Sequence, residues 1–383
     1  MPTSSSSAEE ANLSDSASLL STDLARPRQH AESAPRSAES PQAQPADPLT
    51  RNVSERMRRV LASYWSIPEP TVFLVDSTAR PVATTGWPNP RTSLTAAIRA
   101  HAGRPQAFLK LLKHPADFAS EYEGLVAARA ITTPSLQVRV PAVLHTVEAE
   151  RAIVLEYVPG ISLTPLMRRR YLALPDWCVT AVRDLGRWLA TYHESRQYYV
   201  SPDEFVTGHL QLARRYLDDA AGRLGVTQHA LAHRLLDGLG ATIAAQQLRL
   251  TWCHGDLVLN NLIMHERLLY VVDFTRYGVG PPEADLESFW NSLRREVGPF
   301  PFSAPARSVL WSAFVSAYEA TAAKTSTSVK DLWTFEDLMY EIAYAPRPGR
   351  PFSEGWLRRA RLCLQTTSYL RSWLQERALV YKS

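Results

Sequence analysis

The stretch His254-Gly255-Asp256-Leu257-Val258-Leu259-Asn260-Asn261 constrains this 383-residue chain more than any other. Twelve positions beyond Asn261, Asp273 closes the apolar run Leu268-Leu269-Tyr270-Val271-Val272 and is followed by Phe274. Residues 248–253 read as an extended entry into this loop, and residues 268–272 as a strand whose end presents Asp273. An acidic residue, an asparagine five positions later and a second acidic residue at a strand end make a particular set. One group can orient or accept a proton, and two hard oxygen donors can hold a cation such as Mg²⁺ against phosphate oxygens. A fold that uses them together must bring a loop and a strand end to one point.

This pattern resembles the catalytic loop of kinases. With Gly255 in the second position it is similar to the aminoglycoside phosphotransferase and choline-kinase-like family of small-molecule kinases. Protein kinases usually carry Arg there, and follow the metal-binding Asp with Phe-Gly and a long activation segment. Here Thr275 stands in place of that Gly, no Ala-Pro-Glu follows, and Gly280-Pro281-Pro282-Glu283-Ala284-Asp285 arrives almost at once. The resemblance implies an α+β, two-lobed protein-kinase-like fold, with a small N-terminal antiparallel-sheet lobe plus helix and a larger, mainly helical C-terminal lobe. It implies ATP and Mg²⁺ as reactants, Asn261 and Asp273 as metal ligands, and Asp256 as the group that handles the proton of an acceptor hydroxyl. By the same resemblance His254 ties the loop to the core and Asp285 braces it. Asp285 is also read as the N-cap of the helix that follows.

Upstream, Phe108-Leu109-Lys110-Leu111-Leu112 is an apolar strand with one lysine inside it. A buried ammonium is costly unless it is paired, and nucleotide phosphates with a helix glutamate would pair it. Residues 115–131 read as that helix, with Phe118, Tyr122, Leu125 and Val126 as its apolar face and Glu121 beside it. Glu121 is therefore the expected partner of Lys110, and Glu123 and Lys113 are expected to face solvent. Two more strands are read at 138–144 and 152–157. The second runs into Glu156-Tyr157-Val158-Pro159-Gly160, which resembles the kinase hinge, so that the Glu156 carbonyl and Val158 amide would contact adenine. A kinase would place a glycine-rich loop between the strands read at 71–75 and 92–99, yet residues 77–90 contain only Gly86.

The remaining chain reads as helices at 53–64, 177–195, 202–221, 227–246, 310–323, 334–343 and 354–377. The expected organisation is a disordered Ser/Pro/Ala-rich tail over 1–49, a nucleotide-binding lobe over 50–157 and a catalytic, acceptor-binding lobe over 158–383. A net charge of +4 spread along the chain gives no reason to expect nucleic acid. Three scattered cysteines fit neither a disulfide framework nor a zinc site and suggest a reducing cytoplasm. No apolar run reaches membrane-span length. The expected partner is a small hydroxylated acceptor. A polycationic one would call for clustered carboxylates, of which Glu283, Asp285 and Glu287 are the only dense group nearby. A nucleotide-binding scaffold without activity is the alternative on the same fold, and the complete Lys, Glu, Asp, Asn, Asp set argues against it.

Overall fold

The structure is a computed structural model that describes residues 48–65, 73–75, 93–99, 107–170, 172–297, 302–344 and 354–381. The N-terminal lobe is a five-stranded antiparallel sheet: β1 (Phe73–Val75), β2 (Ser93–Arg99), β3 (Ala107–Leu112), β5 (Val143–Val147) and β6 (Ala152–Glu156). Its spatial order is β1-β2-β3-β6-β5. Helix α1 (Pro48–Trp65) lays Met57, Val60 and Leu61 on one face of this sheet, against Leu109, Leu111 and Val154. The helix thus includes the last two residues of the span expected to be a tail; residues 1–47 and the 77–90 segment lie outside the described residues.

Helix α2 (Pro115–Ala130) covers the lobe from the other side. Pro115 opens it, where a missing N–H costs nothing, and Asp117 in the first turn with Arg129 in the last suit the helix dipole. Its buried face is Glu121, Gly124, Leu125 and Ala128. That corrects the expected face, because Tyr122 and Val126 are exposed. Small residues at 124 and 128, rather than large apolar ones, let this helix come close to its neighbours.

The strand expected over 138–144 is two strands in two sheets. Pro141, which lacks an N–H for a ladder, separates β4 (Val138–Arg139) from β5. β4 pairs in parallel with β11 (Leu268–Val271), inside a second sheet ordered β4-β11-β10-β7, where β10 is Leu262–His265 and β7 is Ile161–Ser162. β10 and β11 form a tight hairpin: His265 pairs with Leu268, and Glu266 and Arg267 between them both have positive φ, as a two-residue primed turn requires. A third sheet runs β12-β9-β8 from Gly278–Gly280, Leu248–Cys253 and Gln197–Val200.

Helices fill the rest: α3 (Leu163–Arg170), α4 (Asp176–Glu194), α5 (Asp203–Ala220), α6 (Val226–Ala244), α7 (Glu283–Glu296), α8 (Ala304–Glu319), α9 (Thr327–Ala343) and α10 (Glu354–Val380). Two begin more than a turn before their expected starts. α8 starts at Ala304 with Pro305 in its first turn. α9 starts behind Ser326, whose hydroxyl caps the Val329 amide. The central core joins Leu112, Leu125, Val138 and Ile153 of the N-terminal region to Trp188, Phe274, Phe289 and Phe314. A second core, around Leu217, Leu236, Phe335 and Leu370, holds α5, α6, α9 and α10 together. The expected two-lobed α+β architecture is what the chain adopts. No helix among the described residues is long and apolar enough to cross a membrane.

Candidate active site

Lys110 points inward from β3, buried, and its Nζ donates to Glu121 Oε2 of α2 at 2.8 Å and to Asp273 Oδ1 at 2.8 Å. Residues 163 positions apart are joined by one ammonium. The expected partner choice is the one found: Glu121 is buried, while Glu123 and Lys113 are exposed. Burial by itself would push the Lys110 proton off, but Asp273 and then Glu121 outweigh it and hold the ammonium above the ordinary lysine value. Glu121 is pushed up to about 7, chiefly by burial, with Lys110 pulling it back. Loss of surrounding water also raises Asp273, yet the Lys110 charge and hydrogen bond, joined by the Thr275 hydroxyl, hold it well below the usual carboxylate range. One cation therefore faces one carboxyl whose acidity burial weakens and one whose acidity the ammonium strengthens. The Asp273 side chain is 39% exposed, against 4% for Lys110 and 1% for Glu121, so it is Asp273 that meets the opening.

Asp273 itself has φ 69°, a left-handed conformation that Asp tolerates better than most residues. This turn directs the chain sharply away after β11. The His254–Asn261 loop lies against it. His254 Nε2 donates to the Val272 carbonyl at 3.1 Å, its Nδ1 accepts the Asp256 amide at 3.2 Å, and the Val272 amide donates to the Asn261 carbonyl at 3.0 Å. Asn261 Nδ2 donates to the Asp256 carbonyl at 2.9 Å and to Asp256 Oδ2 at 3.3 Å. The other atom of that amide, Oδ1, is left as an acceptor. The five residues singled out in the sequence thus form two linked groups: Lys110 with Glu121 and Asp273, and Asp256 with Asn261.

Gly255 sits at φ 79°, and a Cβ there would stand 2.1 Å from the Arg276 carbonyl oxygen. No other residue fits both the conformation and the space. Asp285 holds the loop from below. Its Oδ2 accepts the His254 amide at 2.7 Å, its Oδ1 accepts the Gly255 amide at 2.8 Å, and Oδ2 also meets His193 Nε2 at 3.1 Å. Burial pushes the Asp285 carboxyl up, but these partners, His193 first, bring it below the ordinary value. The reading of Asp285 as an N-cap is wrong: α7 starts at Glu283 behind Pro282, and the carboxylate caps the loop instead of the helix.

Three participants had no visible signal in the sequence. Ser292 Oγ accepts the Leu259 amide at 2.8 Å, Thr275 bonds Asp273, and Tyr318 OH meets His193 Nδ1 at 2.9 Å. His193, in the last turn of α4, is wholly buried between Tyr318 and Asp285. Glu156 ends β6, three residues along from Ile153, the cross-strand partner of Lys110, which is about 10 Å at strand spacing. Its amide donates to the Ala142 carbonyl at 2.8 Å, and beyond it the Gly160 amide turns back onto the Val158 carbonyl at 2.8 Å.

A family model described as the phosphotransferase enzyme family matches residues 94–321. No curated protein matches the chain. Among solved structures, glucosamine kinase in complex with glucosamine, ADP and inorganic phosphate is similar at 18% identity and TM-score 0.54, over 74% of this chain and 83% of that one. A choline/ethanolamine kinase family protein from Mesorhizobium loti is similar at 17% identity and TM-score 0.50, over 86% of this chain and 98% of that one. At these identities the likeness is one of fold, and that fold is the expected kinase-like one.

Proposed function

The chain belongs to the phosphotransferase enzyme family, and from that premise we propose that it transfers the γ-phosphoryl group of ATP to a hydroxyl of a small molecule, with Mg²⁺. The observation that carries this reading is the convergence of Lys110, Glu121 and Asp273 beside the Asp256–Asn261 pair. In the reaction the bond from the γ-phosphorus to the ADP oxygen breaks and a bond to the acceptor oxygen forms. Asp256 orients that hydroxyl and takes its proton. Lys110, held by Glu121, pairs with the α- and β-phosphates. The Glu156 carbonyl and Val158 amide take the adenine edge. With α1 opening at Pro48, we divide the chain accordingly into a tail over 1–47, a nucleotide lobe over 48–157 and an acceptor lobe over 158–383.

The donor set suits Mg²⁺. Asp273 offers an ionised carboxylate that reaches the opening, and Asn261, with its amide nitrogen turned to Asp256, offers an oxygen. Bound there, the ion would neutralise phosphate charge. The protein's part is positioning: a loop held by Asp285, His254 and Ser292 has little freedom left to lose when reactants arrive.

The acceptor is best read as neutral or anionic. Glu283, Asp285 and Glu287 are all buried, and each is already engaged: Glu283 Oε1 accepts the Ser326 amide at 2.6 Å, Asp285 holds the loop, and Glu287 Oε2 accepts the Thr334 hydroxyl at 2.6 Å. The acidic run that would greet a polycation is turned into the core. A panel of amino sugars, aminoalcohols, nucleosides and macrolides, followed by ATP consumption, tests the class. On the true acceptor, Asp256→Ala is expected to lower kcat by about 10²–10⁴-fold with ATP affinity little changed. Asp273→Ala is expected to abolish the Mg²⁺-dependent part of ATP binding in a thermal-shift titration. Near-normal turnover by the first variant, or an unchanged Mg²⁺ effect in the second, refutes the assigned roles.

A further inference from the structure

We propose a second metal site, for a borderline divalent cation of the Zn²⁺ class, built by Asp218 of α5 with His229 and His233 of α6. It shares no residue with the Lys110–Asp256 site and does not depend on the reading of that site.

The site follows from helix geometry. Residues four apart on a helix lie one above the other on the same face, so His229 and His233 present two imidazoles side by side. Their rings meet edge to face with centroids 4.5 Å apart. α5 ends at Ala220 and α6 begins at Val226, and the short connection turns the chain back on itself. Asp218, near the end of α5, thereby meets the second turn of α6. Its Oδ1 lies 3.9 Å from His233 Nε2. The ligating atoms of all three residues lie within 4.8 Å of one another.

An ordinary ion pair between Asp218 and His233 leaves one observation unexplained. Among the described residues, His229 Nε2 is buried and has no hydrogen-bond partner. A ring nitrogen shut away from water should bond something, and a cation shared with His233 and Asp218 would satisfy it. Two imidazoles and a carboxylate suit zinc and its neighbours, whereas Mg²⁺ and Ca²⁺ take oxygen donors. Asp218 and His233 are 68% and 39% exposed, which leaves an approach for the ion and room for water to complete its shell.

A second cluster shows the contrast. His193, Cys253 and Asp285 also lie within reach of one another. There both imidazole nitrogens are bonded, Asp285 accepts two loop amides, and the Cys253 thiol donates to the Pro281 carbonyl at 3.4 Å. That cluster has no donor to spare. At Asp218–His229–His233 the spare donor is what stands out. A bound ion would join α5 to α6 next to their connection, as a staple across a helical hairpin.

The test is calorimetric titration of ZnCl₂ into full-length protein stripped with EDTA, run beside thermal melts with and without zinc. One Zn²⁺ per chain is expected, with a rise in Tm and no displacement by excess MgCl₂. His229→Ala and His233→Ala should each weaken binding by at least the roughly 10–100-fold that loss of a supporting partner costs a metal site, and should remove the Tm rise. Asp218→Asn, which leaves both helices intact, should weaken it too, and Asp273→Asn should bind zinc as the parent does. Absence of zinc binding in the parent protein overturns the site. So does binding that survives His233→Ala in a folded protein, or binding lost with Asp273→Asn, which would place the ion beside Lys110 and Asp256.

Discussion

Glu287 shows what a single carboxyl can cost. It is buried, it accepts the Thr334 hydroxyl, and burial pushes it up to about 7. A carboxyl raised in the folded state stabilises fully below its unfolded value, and loses that contribution as pH climbs through the folded value. The window here runs from the ordinary glutamate range to about pH 7. Glu287→Gln keeps a hydrogen-bonding amide and removes the titration. Its stability relative to the parent is expected to improve by on the order of 1–3 kcal/mol between pH 5 and pH 8. Urea melts across that range measure it, and a pH-independent difference refutes it. Glu121 moves in the same direction, but Lys110 offsets part of its burden, so Glu287 is the cleaner probe. Which residues gather around Lys110 and Asp256 was legible at this scale. Lys110, Glu121, Asp256, Asn261 and Asp273 stand out because a buried ammonium needs a carboxylate, and because oxygen donors recur at fixed spacing around an apolar strand. Ser292, Thr275 and Tyr318 left no trace. A hydroxyl that bonds a distant backbone or ring atom has no period and no characteristic neighbour.

Elements were legible wherever large apolar residues set the period, as in α4, where Val182, Leu185, Leu189 and Tyr192 are all buried. They were misread where small residues carry the contact. The face of α2 is the clearest case: Tyr122 and Val126 suggested one phase, while Gly124 and Ala128, which have almost no hydropathy signal, define the true one. Gly124 matters because a Cβ there would stand 2.7 Å from Phe274 Cβ and 2.9 Å from Tyr277 Cβ. Glu121 sits one turn earlier on the same face. Adding a methyl must push α2 off the Phe274–Tyr277 turn and draw Glu121 away from Lys110. On intrinsic helix preference alone Gly→Ala should help by about 1 kcal/mol, whereas overpacking costs about 1–3 kcal/mol. Gly124→Ala is therefore expected to lower stability and cut kcat by up to about 10²-fold, the penalty of misplacing reacting groups by an ångström. Gly208 of α5, with nothing within 4 Å of its would-be Cβ, is the control, and Gly208→Ala should be neutral or stabilising. Equal behaviour of the two variants sinks the argument.

At the scale of the molecule, the two lobes share a core. Leu112, Leu125, Val138 and Ile153 pack in the same cluster as Trp188, Phe274 and Phe314, and β4 lends a parallel strand to β11. Residues 158–383 expressed alone would expose that surface and leave β11 without its neighbour. We expect such a fragment to lose the near-ultraviolet signal of packed aromatics while keeping helical far-ultraviolet signal. Sharp, native-like dispersion in its NMR spectrum would show the lobes to be separable after all. This continuity was not visible in the sequence, because the segment around Val138 to Val140 reads as an ordinary strand of its own lobe. Pro141 divides it, and only the fold shows that its two halves serve different sheets. The crowding at Gly255 reaches furthest. In protein kinases an arginine at this place can receive a phosphorylated activation segment, and so let a covalent mark govern the rate. Here the Arg276 carbonyl occupies the room such a side chain would need, and the strand after it returns at once to β9. The lever by which signalling enzymes are switched has no fulcrum at this turn.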